Sequence, residues 1–388
     1  MEPLVPALAG GQTVPVLLSP HQLAFSHFPL TLYPKDMLPA LSQRLLPALQ
    51  LTRMALVFTA ISNSLCTYLL ALRRNTPEET SLLFHIRPRD IILITMISIG
   101  LYGFGMSLND IIDRRRDRQL AAHRPLPSGR IALHTAYFIC ISLALLALVA
   151  SAIYSHLSRS DSPWMSLALT IWTGFLIAFY DLAGKYLVAT GLLTLGLIRV
   201  FHAVIPAPNL PLLWHPLLLL THVTGISAIA YAWEQKRPAL TRLHGFAVIG
   251  GVGLIDILAV TIADLQADGQ VHLSVLWPKP ALALPLAAAL AFVLLAWHIR
   301  RRSPSPREAG QALMLTGLLW LIVYDSAFAA AYVGPLYAMA LLGLLPVSYL
   351  AVQLMRWWSK LILLSQQPTF QRQRRDTPGS PPGPLHSR

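Results

Sequence analysis

Runs of apolar residues, each close to the thickness of a bilayer core, alternate along this chain with short polar segments that hold most of its charge. A helix of about 20 apolar residues crosses a membrane. Runs near that length fall at 49–72, 90–109, 131–155, 164–182, 186–206, 214–233, 243–264, 281–299 and 310–333. The pattern predicts an all-α, polytopic membrane bundle of nine helices. A further run at 335–355 follows Gly334-Pro335 and ends at Arg356-Trp357-Trp358, leaving open a tenth span or an interfacial helix. The bundle is expected over 45–355, after a flexible Pro-rich segment at 1–44 and before a disordered basic, Pro-rich tail at 356–388. The first 40 residues show no charged segment followed by a short apolar core and a cleavage site, so no cleaved signal peptide is expected.

Composition agrees with a membrane solvent. Of the 388 residues 55% are apolar and 12% charged, and the mean hydropathy is +0.56, too apolar for a water-soluble globule. The net charge of +13 would point to nucleic acid in a soluble protein. Here the basic residues sit between apolar runs, so no nucleic-acid partner is expected. Their distribution reads as topology: with the amino terminus in the cytoplasm and ten crossings, 23 of the 30 lysines and arginines fall on the cytoplasmic side. Loop 73–90 runs against the rule, with Glu78, Glu79 and Asp90 partly offsetting its arginines. Cys66 and Cys140 both lie inside apolar runs and read as small core residues.

Chemistry concentrates where the second run ends, in GMSLNDIIDRRRDRQLAAHRPLPSGR, residues 105–130. Asn109, Asp113 and Asp117 recur every four residues, and on a helix each step of four returns to within about 40° of the same face. An amide and two carboxylates on one face are hard oxygen ligands suited to Mg²⁺, which binds one or two carboxylates plus substrate phosphates. Asp110 lies about 100° from Asn109. The alternative is that Asp113 and Asp117 pair with Arg114, Arg116 and Arg118 on a solvated helix end. Against it, Asn109 and Asp110 terminate the span itself, where polar groups are costly.

Taken whole, Asn109-Asp110-Ile111-Ile112-Asp113-Arg114-Arg115-Arg116-Asp117 followed by Arg124-Pro125-Leu126-Pro127-Ser128-Gly129 resembles the first signature of the UbiA family of intramembrane prenyltransferases. The resemblance extends from Arg53 to about residue 333. A second element, Tyr180-Asp181-Leu182-Ala183-Gly184-Lys185, is similar to the family's tyrosine-to-lysine motif. Its spacing, with Gly196-Leu197-Ile198-Arg199, is most similar to the EboC-like branch. The resemblance implies a UbiA-like bundle that moves a (poly)prenyl group from an allylic diphosphate to an acceptor, with Mg²⁺ as cofactor. It implies Asn109, Asp113 and Asp117 as metal ligands and Lys185, Arg124 and Tyr180 as catalytic residues. Asn109, Asp110, Asp113, Asp117, Arg199, Glu234, Lys236 and Arg237 would bind substrate. The partners implied are a polyprenyl diphosphate donor, a hydrophobic or aromatic acceptor and the lipid bilayer. The place implied is the cell inner membrane, with the active-site loops cytoplasmic. Judged alone, Lys185 reads equally as a topology signal.

The match fails at the sixth span. The family carries a second pair of aspartates there; this chain has Ala232-Trp233-Glu234-Gln235-Lys236-Arg237-Pro238, with Pro238 where the second carboxylate would fall. Lys236 and Arg237 then either meet diphosphate charge directly or are ordinary positive-inside residues. A noncatalytic isoprenoid or lipid-phosphate carrier is the rival function. Asp256 and Asp325, inside the seventh and ninth runs, either bind substrate or pair with a basic group between helices. His202 and His222 are expected to make helix-to-helix hydrogen bonds, and Asn63 is aligned with the family's polar position in the first span.

Overall fold

The computed structural model describes residues 47–77, 81–122, 124–157, 164–209, 212–266 and 280–365, with side chains described to 262 and 358 in the last two stretches. The amino-terminal segment and most of the tail expected from the sequence lie outside the described residues.

The described chain is helical, with no strand among the described residues. Helix α1 (Val57–Arg74) is followed by α2 (Pro88–Ile112), a short α3 (Arg114–Leu120), α4 (Leu133–Leu157), α5 (Met165–Leu182) and α6 (Val188–Val204). Then come α7 (Trp214–Trp233), α8 (Arg242–Gln266), α9 (Ala283–Arg302), α10 (Pro306–Tyr332), α11 (Pro335–Leu342) and α12 (Leu344–Ser365). Helix is the available solution because lipid offers no partners to backbone N–H and C=O groups. Proline at the first turn of α2, α10 and α11 fixes where these helices begin. At α10 the Ser305 hydroxyl accepts from Glu308 N at 3.2 Å, an N-cap, and donates to Glu308 Oε1 at 2.9 Å.

Among the described residues nine helical segments are long and apolar enough to cross a membrane, which makes this an integral multi-pass membrane protein. They include Pro335–Trp358, the run the sequence left open. Helix α6 is shorter, at 17 residues, about 25 Å long. Helix α12 continues to Ser365, inside the stretch the sequence assigns to the tail.

Burial separates the bundle into centre and rim. Two-thirds of the α1 span is buried and only 6% of the α8 span, so α1 is central and α8 turns its apolar surface outward. Helices α2 and α4 pack closely: a Cβ at Gly100 would lie 2.6 Å from the Leu143 carbonyl oxygen, a position only glycine fills without displacement.

Buried polar groups join the central helices. Asp325 on α10, fully buried, accepts from Asn63 Nδ2 on α1 at 2.8 Å and from His215 Nε2 on α7 at 2.7 Å. Of the two roles open to Asp325, the structure gives it the pairing one. Asn63 thereby joins two helices through its amide nitrogen, while its Oδ1 has no partner among the described residues. His222 Nε2 donates to the Gly317 carbonyl at 2.9 Å, leaving its Nδ1 to accept from the Tyr324 hydroxyl at 3.1 Å. His202 Nδ1 lies 3.4 Å from the Ser64 hydroxyl. Both histidines thus join helices as expected. Asp256, on the outward-facing α8, has a buried Oδ1 without a partner among the described residues.

Replacing Asp325 by Leu strands two buried donors. Interhelical hydrogen bonds in membranes contribute up to about 1.7 kcal/mol each, so the expected loss is about 1–3 kcal/mol of unfolding free energy in mixed micelles. Because the penalty comes from unpaired groups, adding His215→Phe should recover part of it. An additive double mutant would show that the pair does not couple.

Candidate active site

Six helix ends meet at one end of the bundle: the carboxyl ends of α2, α5 and α7 and the amino ends of α1, α6 and α10. Between them lies a cavity of about 430 Å³. Its inner wall is apolar, with Leu101, Ile177, Leu192, Leu195, Met314 and Leu318. Its polar wall holds Arg53, Asn109, Asp181, Lys185, Arg199 and Lys236, with the phenols of Tyr102, Tyr180 and Tyr231.

The acidic cluster spans an interruption between two helices. The spacing predicts one continuous face from Asn109 to Asp117, but α2 stops at Ile112 and α3 starts at Arg114, with Asp113 between them at φ −76°, ψ −1°. The chain still turns helically, since Asp117 N donates to the Asp113 carbonyl at 2.8 Å. Asp117 lies off the cavity wall, in a part-buried ion pair with Arg124, Nη1 to Oδ2 2.6 Å. Arg124 is held by the loop that follows, where Ser128 N donates to its carbonyl at 3.0 Å and Ile131 N donates to Pro125 O at 3.2 Å. Gly129 closes this loop at φ +76°, a left-handed conformation that favours glycine.

Every acid here has a partner. Lys185 follows α5 on a short 3₁₀ turn, Gly184–Tyr186, and its ammonium lies 2.8 Å from Asp113 Oδ1. Asn109 Nδ2 donates to Asp181 Oδ1 at 2.7 Å. Asp110, buried and off the cavity wall, receives Arg53 Nη2 at 3.3 Å and Arg124 Nη1 at 3.6 Å. Lys236 reaches the cavity and also pairs with Glu234 Oε2 at 3.0 Å, while Glu234 itself is not on the wall. Arg237 is exposed and away from the cavity.

Of the residues predicted from sequence, Asn109, Tyr180, Lys185, Arg199 and Lys236 thus line the cavity directly. Asp113 joins it through Lys185. Asp110, Asp117 and Arg124 form a supporting layer behind it, tied to the wall through Arg53. Two wall residues escape the sequence reading. Asp181 stands inside the Tyr180–Lys185 string and ends a span just as Asn109 and Asp110 do, the signal that would have found it. Arg53 is counted there only as a topological charge.

The donor atoms have the chemistry of a hard divalent cation's ligands, although Asp113, Asp117 and Asp181 do not converge as a three-carboxylate cluster among the described residues. Asp113, Asp117 and Asp181 each engage one carboxylate oxygen, and Asp113 Oδ2, Asp117 Oδ1 and Asp181 Oδ2 have no hydrogen-bond partner among the described residues. The Asn109 amide donates through nitrogen, so its oxygen is likewise uncommitted. All are oxygen ligands of the kind Mg²⁺ prefers.

The fold has counterparts among solved structures. The protein described under "Structural and mechanistic insights into the biosynthesis of Digeranylgeranylglyceryl phosphate synthase in membranes" is 19% identical over 76% of this chain and 99% of its own, with a TM-score of 0.51. A UbiA homolog from Archaeoglobus fulgidus bound to GPP and Mg²⁺ is 14% identical over 73% of this chain and 99% of its own, TM-score 0.44. A UbiA homolog from Aeropyrum pernix K1, in its apo form, is 19% identical over 68% and 94%, TM-score 0.42. Among curated proteins none matches the chain. The profile of the UbiA prenyltransferase family matches residues 80–321, most of the helical bundle and well over half of the sequence, and the chain belongs to that family.

Proposed function

We propose that this protein is a Mg²⁺-dependent intramembrane prenyltransferase that moves a (poly)prenyl group from an allylic diphosphate to an acceptor. The observation that carries the reading is the charge of the cavity wall. Arg53, Lys185, Arg199 and Lys236 set four cations against the single carboxylate of Asp181, above an apolar interior. A diphosphate with a long hydrocarbon tail matches both halves. The relative whose structure holds GPP and Mg²⁺ belongs to the same family, which supports an allylic diphosphate as donor.

In this reading Asn109, Asp113 and Asp181 would hold the metal, and Asp117 supports the same acidic cluster from behind. Bound Mg²⁺ supplies positive charge that lets a carboxylate-rich site accept a diphosphate and stabilises it as a leaving group. Lys185 is placed to leave Asp113 for the diphosphate, and Lys236 and Arg53 stabilise the charge that develops as the allylic carbon–oxygen bond breaks. Arg124 keeps Asp110 and Asp117 in place. Tyr180 and Tyr231 offer aromatic faces to an allylic cation, and the apolar wall keeps water away until the acceptor attacks. Glu234 contributes through Lys236, whose ammonium it orients. The Tyr180–Lys185 spacing and the Gly196–Arg199 segment support the EboC-like branch. The distribution of basic residues supports a cytoplasmic amino terminus, with the cavity opening to the cytoplasm, in a cell inner membrane.

Purified protein given Mg²⁺, labelled allylic diphosphates and membrane extract should release diphosphate. Asp113→Asn and Asp181→Asn should each lower that release roughly 100-fold or more, the scale on which removed transition-state contacts are felt. Asp117→Asn should lower it less, because Asp117 pairs with Arg124 behind the wall, whereas Asp113 holds the wall residue Lys185. Donor binding with no release under any acceptor would replace the transferase by a carrier on the same fold, the function favoured if the missing second aspartate pair is decisive.

Lys185→Met separates metal from phosphate effects. The ammonium competes with a cation for Asp113, so its removal should raise the affinity for Mn²⁺ alone about tenfold, or 1.4 kcal/mol, followed by electron paramagnetic resonance without donor. Affinity for a diphosphate analogue should fall. Weaker Mn²⁺ binding in the variant would mean that Lys185 organises the site instead of competing with the ion.

A further inference from the structure

We propose that Cys66, His215 and Asp325 form a closed structural Zn²⁺ site that clamps α1, α7 and α10 together. It is separate from the cavity, whose wall includes none of the three, and it stands independently of the prenyltransferase reading.

The three residues come from three helices, and no sequence spacing joins them. One ligand atom from each lies within 4.8 Å of the other two, and all three residues are 0% exposed. His215 stands in the first turn of α7, about 28 Å along that helix from Glu234. The cluster is thus far from the acidic residues that would hold Mg²⁺.

Its ligand chemistry is different too. A thiolate, an imidazole and a carboxylate are the mixed sulfur, nitrogen and oxygen set that binds Zn²⁺, whereas Mg²⁺ takes oxygen. Charge decides in the same direction. Deprotonated Cys66, neutral His215 and ionised Asp325 carry two negative charges between them, and a divalent ion brings the group to zero, the balance least costly inside a bilayer. Cys66 gives up its thiol proton as the ion binds.

The hydrogen bonds around Asp325 leave ligand atoms uncommitted. Its Oδ1 faces His215 Nε2 at 2.7 Å and its Oδ2 faces Asn63 Nδ2 at 2.8 Å, while the Cys66 thiol makes only a long contact, 3.4 Å, to the Asp325 carbonyl. His215 Nδ1 and Asn63 Oδ1 are buried without partners among the described residues, a costly state for polar atoms. His215 can present either nitrogen: Nδ1 is free, and Nε2 is released once the ion takes the carboxylate. Phe328 packs at 84° to the imidazole, ring centres 5.1 Å apart, and fixes its plane. Asn63, three residues before Cys66 on α1, orients the carboxylate through its amide nitrogen and offers its oxygen as a fourth ligand. Ligand atoms of a tetrahedral Zn²⁺ stand about 3.3–3.7 Å apart, from bonds of about 2.0–2.3 Å, so side-chain shifts of about 1 Å complete the site.

Full burial means that the ion enters as the helices assemble, so the test loads the metal during expression. The full chain is produced in zinc-depleted medium with added Co²⁺, purified in detergent, washed with EDTA and kept in excess Mg²⁺. It should retain one cobalt per chain and show tetrahedral ligand-field bands with a thiolate-to-cobalt charge-transfer band, which cobalt on surface histidines or on the acidic cluster does not give. The chain has two cysteines. The band should survive Cys140→Ser and vanish in Cys66→Ser, where retained cobalt should fall at least about tenfold. Asp113→Asn should keep both band and metal. The wild type expressed with Zn²⁺ should melt about 5 °C above the same chain expressed without Zn²⁺ or Co²⁺. A wild type without the charge-transfer band overturns the inference, whether or not it retains cobalt, as does a band that survives Cys66→Ser. Loss of the band in Asp113→Asn would assign the ion to the acidic cluster and overturn it equally. If Cys66→Ser does not fold, Cys140→Ser decides, because Cys66 is then the sole thiol: a band there supports the site and its absence overturns it. Equal melting with and without Zn²⁺ would overturn the structural role.

Discussion

Charge buried at the end of a lipid-facing bundle has to be matched on the spot, and this requirement organises the whole upper half of the molecule. A carboxylate or guanidinium removed from water loses several kcal/mol of solvation, which only an adjacent opposite charge or a full set of hydrogen bonds offsets. Here Asp110 has Arg53 and Arg124, Asp113 has Lys185 and Asp117 has Arg124. Each pair also ties one element to another: the segment before α1 to α2, the loop after α3 to α2, and the turn after α5 to α2. The same contacts that settle the charge therefore set where the helix ends lie, and the cavity is the space they enclose.

Matching of this kind leaves the site poised for exchange. Each acid uses one oxygen on its basic partner and keeps the other, so under the proposed function a cation is received without dismantling the scaffold. A lysine bonded to an aspartate gains little from staying once a phosphate is within reach, because both offer charged oxygens at similar distances. Under the proposed function, binding is then a change of partners at nearly constant local charge, which avoids carrying uncompensated charge into a low dielectric.

Much of this was legible in the sequence, and the rest was hidden for identifiable reasons. The apolar runs located the helices because a bilayer imposes a length, and the resemblance of residues 109–129 and 180–185 pointed to the family. A four-residue spacing says nothing of the interruption at Asp113 or of the pairing of Asp117 with Arg124, which sits in the following loop. Arg53 was invisible as a site residue because its partner Asp110 is 57 positions away, and no local spacing encodes that pairing. Asp325 showed the reverse: its burial inside a span marked it as important, but only the packing of α1, α7 and α10 revealed Asn63 and His215 as its partners.

The departure at residues 234–238 takes on a different meaning in this light. Two aspartates there would add two negative charges that further metal ions must offset, whereas Glu234 and Lys236 add none. The lysine end reaches the cavity and the glutamate end does not. Under the proposed function, the substitution exchanges a metal held by carboxylates for a cation fixed to the protein. A fixed ammonium stabilises developing negative charge without having to be recruited, though it coordinates less strongly than a divalent ion. The absent second acidic pair therefore does not by itself remove the electrostatic means of catalysis. Under the proposed function it shifts the burden onto Lys236, Lys185 and the single acidic cluster at the end of α2.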